Sequence, residues 1–251
     1  MDHILYRDTL NGSYENVFEM DRRGGNRHVI PDIEAYSFIE TDGKIYYNTQ
    51  DIQEDDTDEE IIKEQILSYD RKSGKSKKIQ EEYEIIWFSL YGNGLIYIGY
   101  ETEKEQDRAL LGIWTCDLDG KDKKELGKFT LKDFWVYDSN KFILSEDTIL
   151  LCGGKIAMFS IKEKRFQEIL SYDEDMETKA VCCQDGYAYI CIEDSEVYAV
   201  TKTPELQGVW KLKMDFAKEK EDMEKISSAT TEKLYCREGK VYNENFEVIA
   251  E

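Results

Sequence analysis

Two patterns recur along this chain, interleaved and at nearly the same interval. One is a pentad that opens on a β-branched residue: Val17-Phe18-Glu19-Met20-Asp21, Ile66-Leu67-Ser68-Tyr69-Asp70 and Ile113-Trp114-Thr115-Cys116-Asp117, with looser copies from Ile156, Val197 and Val241. Their first positions are separated by 49, 47, 43, 41 and 44 residues. The other is a tight turn leading into an apolar run: Asp42-Gly43-Lys44-Ile45-Tyr46-Tyr47 and Asn93-Gly94-Leu95-Ile96-Tyr97-Ile98, with related segments from Met1, Glu146, Asp185 and Thr231. Asp-Gly and Asn-Gly ahead of an apolar run signal a hairpin, because these residues accept positive φ. A single short repeat cannot bury its own apolar face, so a regular array of them dictates the architecture.

Each unit reads as strand, tight turn, strand, variable loop, strand, turn, strand. "AYSFIE", "KIYYNTQ", "QILSYD" and "KSKKIQ" give the four strands of one unit, rich in the Val, Ile, Tyr, Phe and Thr that strands favour. Four strands per ~45 residues is the spacing of propeller blades. The expected fold is therefore all-β, a six-bladed β-propeller of four-stranded antiparallel blades. It forms a single domain over 1–251, with repeat units near 1–32, 33–82, 83–130, 131–174, 175–218 and 219–251. The first unit opens on what aligns as a second strand, which leaves its blade three-stranded. The last unit, "KISSAT", "EKLYCRE", "KVYNEN" and "FEVIAE", fills four by itself. Two closures fit: a longer natural chain supplies the missing strand, or the C-terminal segment crosses over and protects the open sheet edge.

Asp21, Asp70 and Asp117 fall at equivalent places after the third strand and are followed by Gly24, Gly74 and Gly120. An Asp there accepts hydrogen bonds from nearby backbone N–H groups and Gly supplies positive φ, so these aspartates read as turn formers and not as metal ligands. The acidic run Asp51–Glu60 lacks the Gly and final bidentate Glu of an EF-hand and reads as a solvated insertion, with calcium the alternative.

"IYYNTQ…QILSYDRKSGKSKKI" and "LIYIGY…GIWTCDLDGKDKKEL" resemble the blade pattern of the low-density-lipoprotein-receptor YWTD propellers. They look still more like bacterial propellers of unknown function related to that group. The match covers the second and third units well; later units keep the alternation but lose the Asp-Gly turn. A literal Tyr-Trp-Thr-Asp is absent, as are the Gly-His and Trp-Asp signatures of WD repeats. The resemblance implies the propeller fold and a binding role, and it transfers no catalytic residue.

The formal net charge of −21 argues against a nucleic-acid partner, since phosphate binding needs a basic surface. The one dense basic cluster, "RKSGKSKK" from Arg71 to Lys78, reads as a solvated turn. No apolar run is long enough to span a bilayer, and the N-terminus lacks the form of a signal peptide. The chain as it stands is thus expected in the cytoplasm, or outside the cell if it belongs to a longer protein. Five of the six cysteines, Cys116, Cys152, Cys182, Cys183, Cys191 and Cys236, lie in strand-like runs. No Cys-x-x-Cys occurs and the histidines are only His3 and His28, so reduced, mostly buried thiols are expected in place of a zinc site.

No nucleophile elbow, zinc-protease helix motif or phosphate loop occurs. The function expected is a non-catalytic module that binds a protein or peptide, with no cofactor and no metal. The alternative is a propeller enzyme acting on a sugar or lactone with a metal in the central channel. The candidate ligand-binding residues are the aromatics near the crossovers between units: Tyr36, Tyr83, Trp87, Trp135 and Tyr172. With the acidic loops 50–64 and 101–108 expected on the same face, the partner called for is cationic.

Overall fold

A computed structural model describes residues 3–9, 15–21, 23–54, 60–100, 110–130, 141–171, 176–194, 204–215 and 222–250. Its strands pair with their neighbours in sequence to form six sheets. Sheet one holds β1 (His3–Thr9), β2 (Glu15–Asp21) and β3 (His28–Glu34). Sheet two holds β4 (Ser37–Thr41), β5 (Lys44–Glu54), β6 (Glu60–Asp70) and β7 (Lys75–Glu82). Sheet three holds β8 (Glu84–Tyr91), β9 (Gly94–Tyr100), β10 (Leu110–Asp117) and β11 (Lys124–Thr130). Sheet four holds β12 (Lys141–Ser145), β13 (Thr148–Cys152), β14 (Lys155–Ser160) and β15 (Arg165–Ser171). Sheet five holds β16 (Met176–Gln184), β17 (Tyr187–Asp194), β18 (Gly208–Lys213) and β19 (Glu224–Ser227). Sheet six holds β20 (Tyr235–Arg237), β21 (Lys240–Tyr242) and β22 (Val248–Ala250). This is the six-bladed all-β architecture the repeats predict.

The chain divides into two compact units, Met1–Glu125 and Leu126–Glu251. In the first, Val17, Ile33, Ile45 and Tyr47 belong to one buried cluster, and Tyr46, Ile66, Ile85 and Trp114 to another. The division follows from the two-residue period of a strand: Ile45 and Tyr47 leave β5 toward sheet one, while Tyr46 leaves it toward sheet three. Trp114 stacks on Tyr97 with ring centroids 5.5 Å apart. In the second unit, Leu150, Met158, Ile190 and Leu212 pack sheet four on sheet five. Tyr189, Cys191, Val209 and Val241 pack sheet five on sheet six.

The turns take the form expected of them. Asp117 accepts backbone hydrogen bonds from Asp119 (2.9 Å) and Lys121 (2.7 Å), Asp21 from Arg23 and Gly25, and Asp70 from Lys72 and Ser73. Gly120 has φ +84°, and a Cβ on it would stand 2.2 Å from the Ile79 carbonyl oxygen, so this position admits only glycine.

Two expectations are corrected. "KISSAT" was expected to open the last unit. Its strand, β19, instead pairs with β18, with Val209 opposite Ser227 and Lys211 opposite Glu224. That pairing covers the otherwise open edge of β18, and among the described residues sheets one and six each hold three strands. The cysteines were expected to be reduced throughout, but Cys182 and Cys236 form a disulfide that joins β16 to β20. Their Cα atoms stand 5.9 Å apart, within the range a disulfide spans. Spacing along the chain could not show this, because the two cysteines come together only when sheets five and six pack. Cys116, Cys152, Cys183 and Cys191 remain free.

Candidate functional site

Strands of the first unit run between two ends. One end carries the tight turns β4–β5, β6–β7 and β8–β9. The other carries the crossovers β3–β4 and β7–β8 and the far ends of β5 and β6. Tyr36 lies in the first crossover; its N–H donates to the Asn48 carbonyl at 3.0 Å and its side chain is 44% exposed. Tyr83 lies in the second, half-buried, with its N–H donating to the Tyr100 carbonyl at 3.0 Å. Trp87 stands further along, inside β8 opposite Ile98 and half-buried, just past a register shift. Trp135 and Tyr172 lie outside the described residues, as do segments 55–59 and 101–109 of the acidic loops.

The same end holds a polar relay that links sheets two and three. The Ser37 N–H and hydroxyl both donate to the Asn48 side-chain oxygen at 2.8 Å. The Asn48 amide nitrogen reaches the Ile85 carbonyl at 3.4 Å, and the Ile85 N–H donates to Glu64 Oε2 at 2.9 Å. Beside it, buried Glu82 accepts from the Tyr97 hydroxyl (2.8 Å) and from Lys123 (2.7 Å). Burial pushes the Glu64 carboxyl up to about 7, against the Ile85 N–H that lowers it and with the charge of Glu84 adding to the rise. Burial and Glu84 likewise push the Tyr100 hydroxyl up to about 12. Asp51 and Glu84 also lie at this end, while Glu81 is paired with Lys63 and Lys78 and Glu82 with Lys123. Sequence reading passed over Glu64. Its signal was the strand period: Glu64 shares a face of β6 with Ile66, which is fully buried, so a carboxylate in that line loses solvent.

A pH effect follows. The folded state holds the Glu64 proton up to about pH 7, while the unfolded chain releases it near the ordinary value of 4.5. Stability from this group is complete below the lower value and lost as pH rises through the upper one. Gln keeps the acceptor for Ile85 without the charge. Glu64→Gln is therefore expected to stabilise the fold by about 2 kcal/mol at pH 8 and by little at pH 4. Urea melts of the two proteins across that range check it; parallel curves would show that Glu64 is solvated.

Both histidines of the chain meet at the opposite, turn-bearing end, in a cluster sequence reading did not foresee. Arg71 donates to Glu19 and Glu40 at 2.6 Å, and its Nη1 lies 2.8 Å from His3 Nε2. His3 Nε2 is also 3.0 Å from Glu40, and His28 Nε2 is 3.5 Å from Glu19. Burial alone would raise the Glu40 carboxyl; the hydrogen bonds of His3 and Arg71 outweigh it and hold the group below its ordinary value. The guanidinium occupies the space between the two carboxylates, which suits an ionic clasp between sheets one and two. Among the described residues, no group of three or more His, Cys, Asp or Glu is arranged to hold a metal ion.

Comparison with solved structures agrees with the architecture. The β-propeller domain of the trilobed protease from Pyrococcus furiosus, described as having an open velcro topology, aligns over 96% of this chain and 74% of its own, with a TM-score of 0.56 and 12% identity. The acylaminoacyl peptidase of Pyrococcus horikoshii aligns over 97% of this chain with a TM-score of 0.58 and 13% identity. A prolyl endopeptidase structure aligns over 96% of it with a TM-score of 0.61 and 13% identity. The chain spans 41% and 38% of the length of these two peptidases. At such identities the likeness is one of fold: a six-bladed β-propeller. No protein-family model matches the sequence, and no curated protein matches it.

Proposed function

We propose that this protein is a non-catalytic binding module that takes a cationic protein or peptide segment at the crossover end of its first unit. The observation that carries this reading is the meeting of exposed Tyr36 and half-buried Tyr83 with the carboxylates of Asp51 and Glu84 at one set of strand ends. Aromatic rings supply burial that holds a complex, and carboxylates around them speed the encounter with a cation. Trp87, half-buried in β8, belongs to the same unit and extends the candidate surface, while Trp135 and Tyr172 stay candidates on the sequence alone. The solved structures above, propeller domains of larger proteins among them, are consistent with a propeller acting as a platform.

A fluorescein-labelled Lys/Arg-rich dodecapeptide tests this by stopped-flow anisotropy. The Tyr36→Ala/Tyr83→Ala pair is expected to raise the dissociation rate about 10-fold and leave association nearly unchanged. Neutralising Asp55, Asp56, Asp58 and Glu59 is expected to slow association and flatten its salt dependence. Binding like that of the unaltered protein by both variants would remove the site from this end.

A further inference from the structure

The turn-bearing end of the first unit has the opposite sign. The described residues of segments 21–28, 70–78 and 117–124 carry ten Arg and Lys against five Asp, and the same end adds Lys44, Glu19, Glu40 and Asp42, in a chain whose net charge is −21. Three of those five aspartates, Asp21, Asp70 and Asp117, spend their side-chain oxygens on N–H groups of their own turns. Of the cations, Arg71, Lys77, Lys78 and Lys123 are paired with carboxylates. Arg23, Lys72, Lys75, Lys121 and Lys124 are exposed and make no ion pair with another described residue.

These cations stand on a fixed base. Lys77 pairs with Asp119 at 3.2 Å and the Gln80 amide donates to the Gly120 carbonyl at 2.8 Å, which ties the turn of sheet two to that of sheet three. Arg71 ties the turn of sheet two to Glu19 in sheet one. Charges so held lose little freedom when a partner arrives.

Folding does not require the turns to be basic. The β21–β22 turn is built in the same way: Asn243 accepts from the N–H groups of Asn245 (3.0 Å) and Glu247 (2.9 Å), and the Phe246 N–H returns to the Asn243 carbonyl. That turn, residues 243–247, has no Lys or Arg at all. Lysines on outer strands can also guard a sheet edge against unwanted pairing. Yet β22, an outer strand of sheet six, carries none, so edge protection is not a general rule of this fold.

We propose that this basic edge is a second docking surface, distinct from the acidic crossover end, and that it takes a short acidic peptide segment of a partner protein. The size of the partner follows from charge. A long polyanion such as nucleic acid would meet the repulsion of the whole acidic chain, whereas a segment a few carboxylates long engages the edge within about a Debye length.

The test is equilibrium anisotropy with a fluorescein-labelled Glu-rich dodecapeptide. Binding by the unaltered protein is expected at about 50 mM salt and to weaken markedly at about 300 mM. Lys72→Glu/Lys75→Glu/Lys121→Glu/Lys124→Glu is expected to weaken it at least ~10-fold, and Lys72→Gln/Lys124→Gln about 3-fold, a milder pair to be read if the first fails to fold. Glu163→Gln, at an exposed position in the β14–β15 turn, is expected to leave this binding unchanged. Undiminished binding by the milder pair, or no binding at low salt, overturns the proposal. So does tighter binding of a single-stranded dodecanucleotide, which would assign the edge to nucleic acid.

Discussion

Replacing Cys182 and Cys236 together by serine is expected to lower stability by about 4 kcal/mol and the melting temperature by on the order of 10 °C. The bond closes a loop of 54 residues, and opening it restores to the unfolded chain the freedom that this loop loses. It also joins β16 to β20 and so fastens sheet six, whose strands are only three residues long and offer little ladder of their own. Two melts check the expectation. The unaltered protein treated with a reductant should fall to the level of the serine variant, and the variant should not respond to the reductant. A variant as stable as the parent would mean that packing of Tyr189, Val209 and Val241 alone holds sheets five and six together.

Arg71→Ala is expected to cost about 3 kcal/mol at neutral pH. The guanidinium forks between Glu19 and Glu40, whose side chains are 16% and 15% exposed. Removing it leaves two mostly buried carboxylates without their counter-charge. Arg71→Lys should recover less than half of the loss, since one ammonium cannot present two parallel pairs of donors. The pH dependence identifies the cause. Glu40 titrates below its ordinary value in the fold, so the stability it contributes is present above that value and is lost as pH falls through the folded one. The gap between Arg71→Ala and the parent should therefore close in acid. Urea melts at pH 7 and pH 3 measure it. A gap that stays constant would assign the loss to packing of the side-chain stem.

Much of this molecule was legible in its sequence. The recurrence of Asp-Gly and Asn-Gly ahead of apolar runs, with a β-branched pentad between, announced hairpins in a regular array. A strand has a fixed two-residue period and a tight turn tolerates few residue types, so local chemistry was enough to place β4 to β10, β13, β14 and β17; in sheet five the third strand, read at Val197 to Thr201 from the repeat, is instead β18, Gly208–Lys213. Asp21, Asp70 and Asp117 were legible as turn formers for the same reason: their partners lie two to four residues away. Tyr36 and Tyr83 could be placed at crossovers because a crossover is where one unit of the repeat ends and the next begins.

Only the tertiary structure decided which strand completes which sheet, and which charges meet. "KISSAT" is a plausible opening strand or closing strand from its own residues; the open edge of β18 determined the choice. Cys182 and Cys236 look like any small apolar strand residue until sheets five and six pack and bring their Cα atoms to 5.9 Å. His3, Glu19, Glu40 and Arg71 are scattered over nearly seventy residues and meet because β1, β2, β4 and the β6–β7 turn finish at one end of neighbouring sheets. The rise of Glu64 needed the neighbouring sheet as well, since only packing against β8 removes its water and presents the Ile85 N–H. The physical reason is common to all of these. Turn and strand formation depend on groups a few bonds apart, whereas edge covering, disulfide pairing and desolvation depend on distance in space, which the chain fixes only once its sheets have packed.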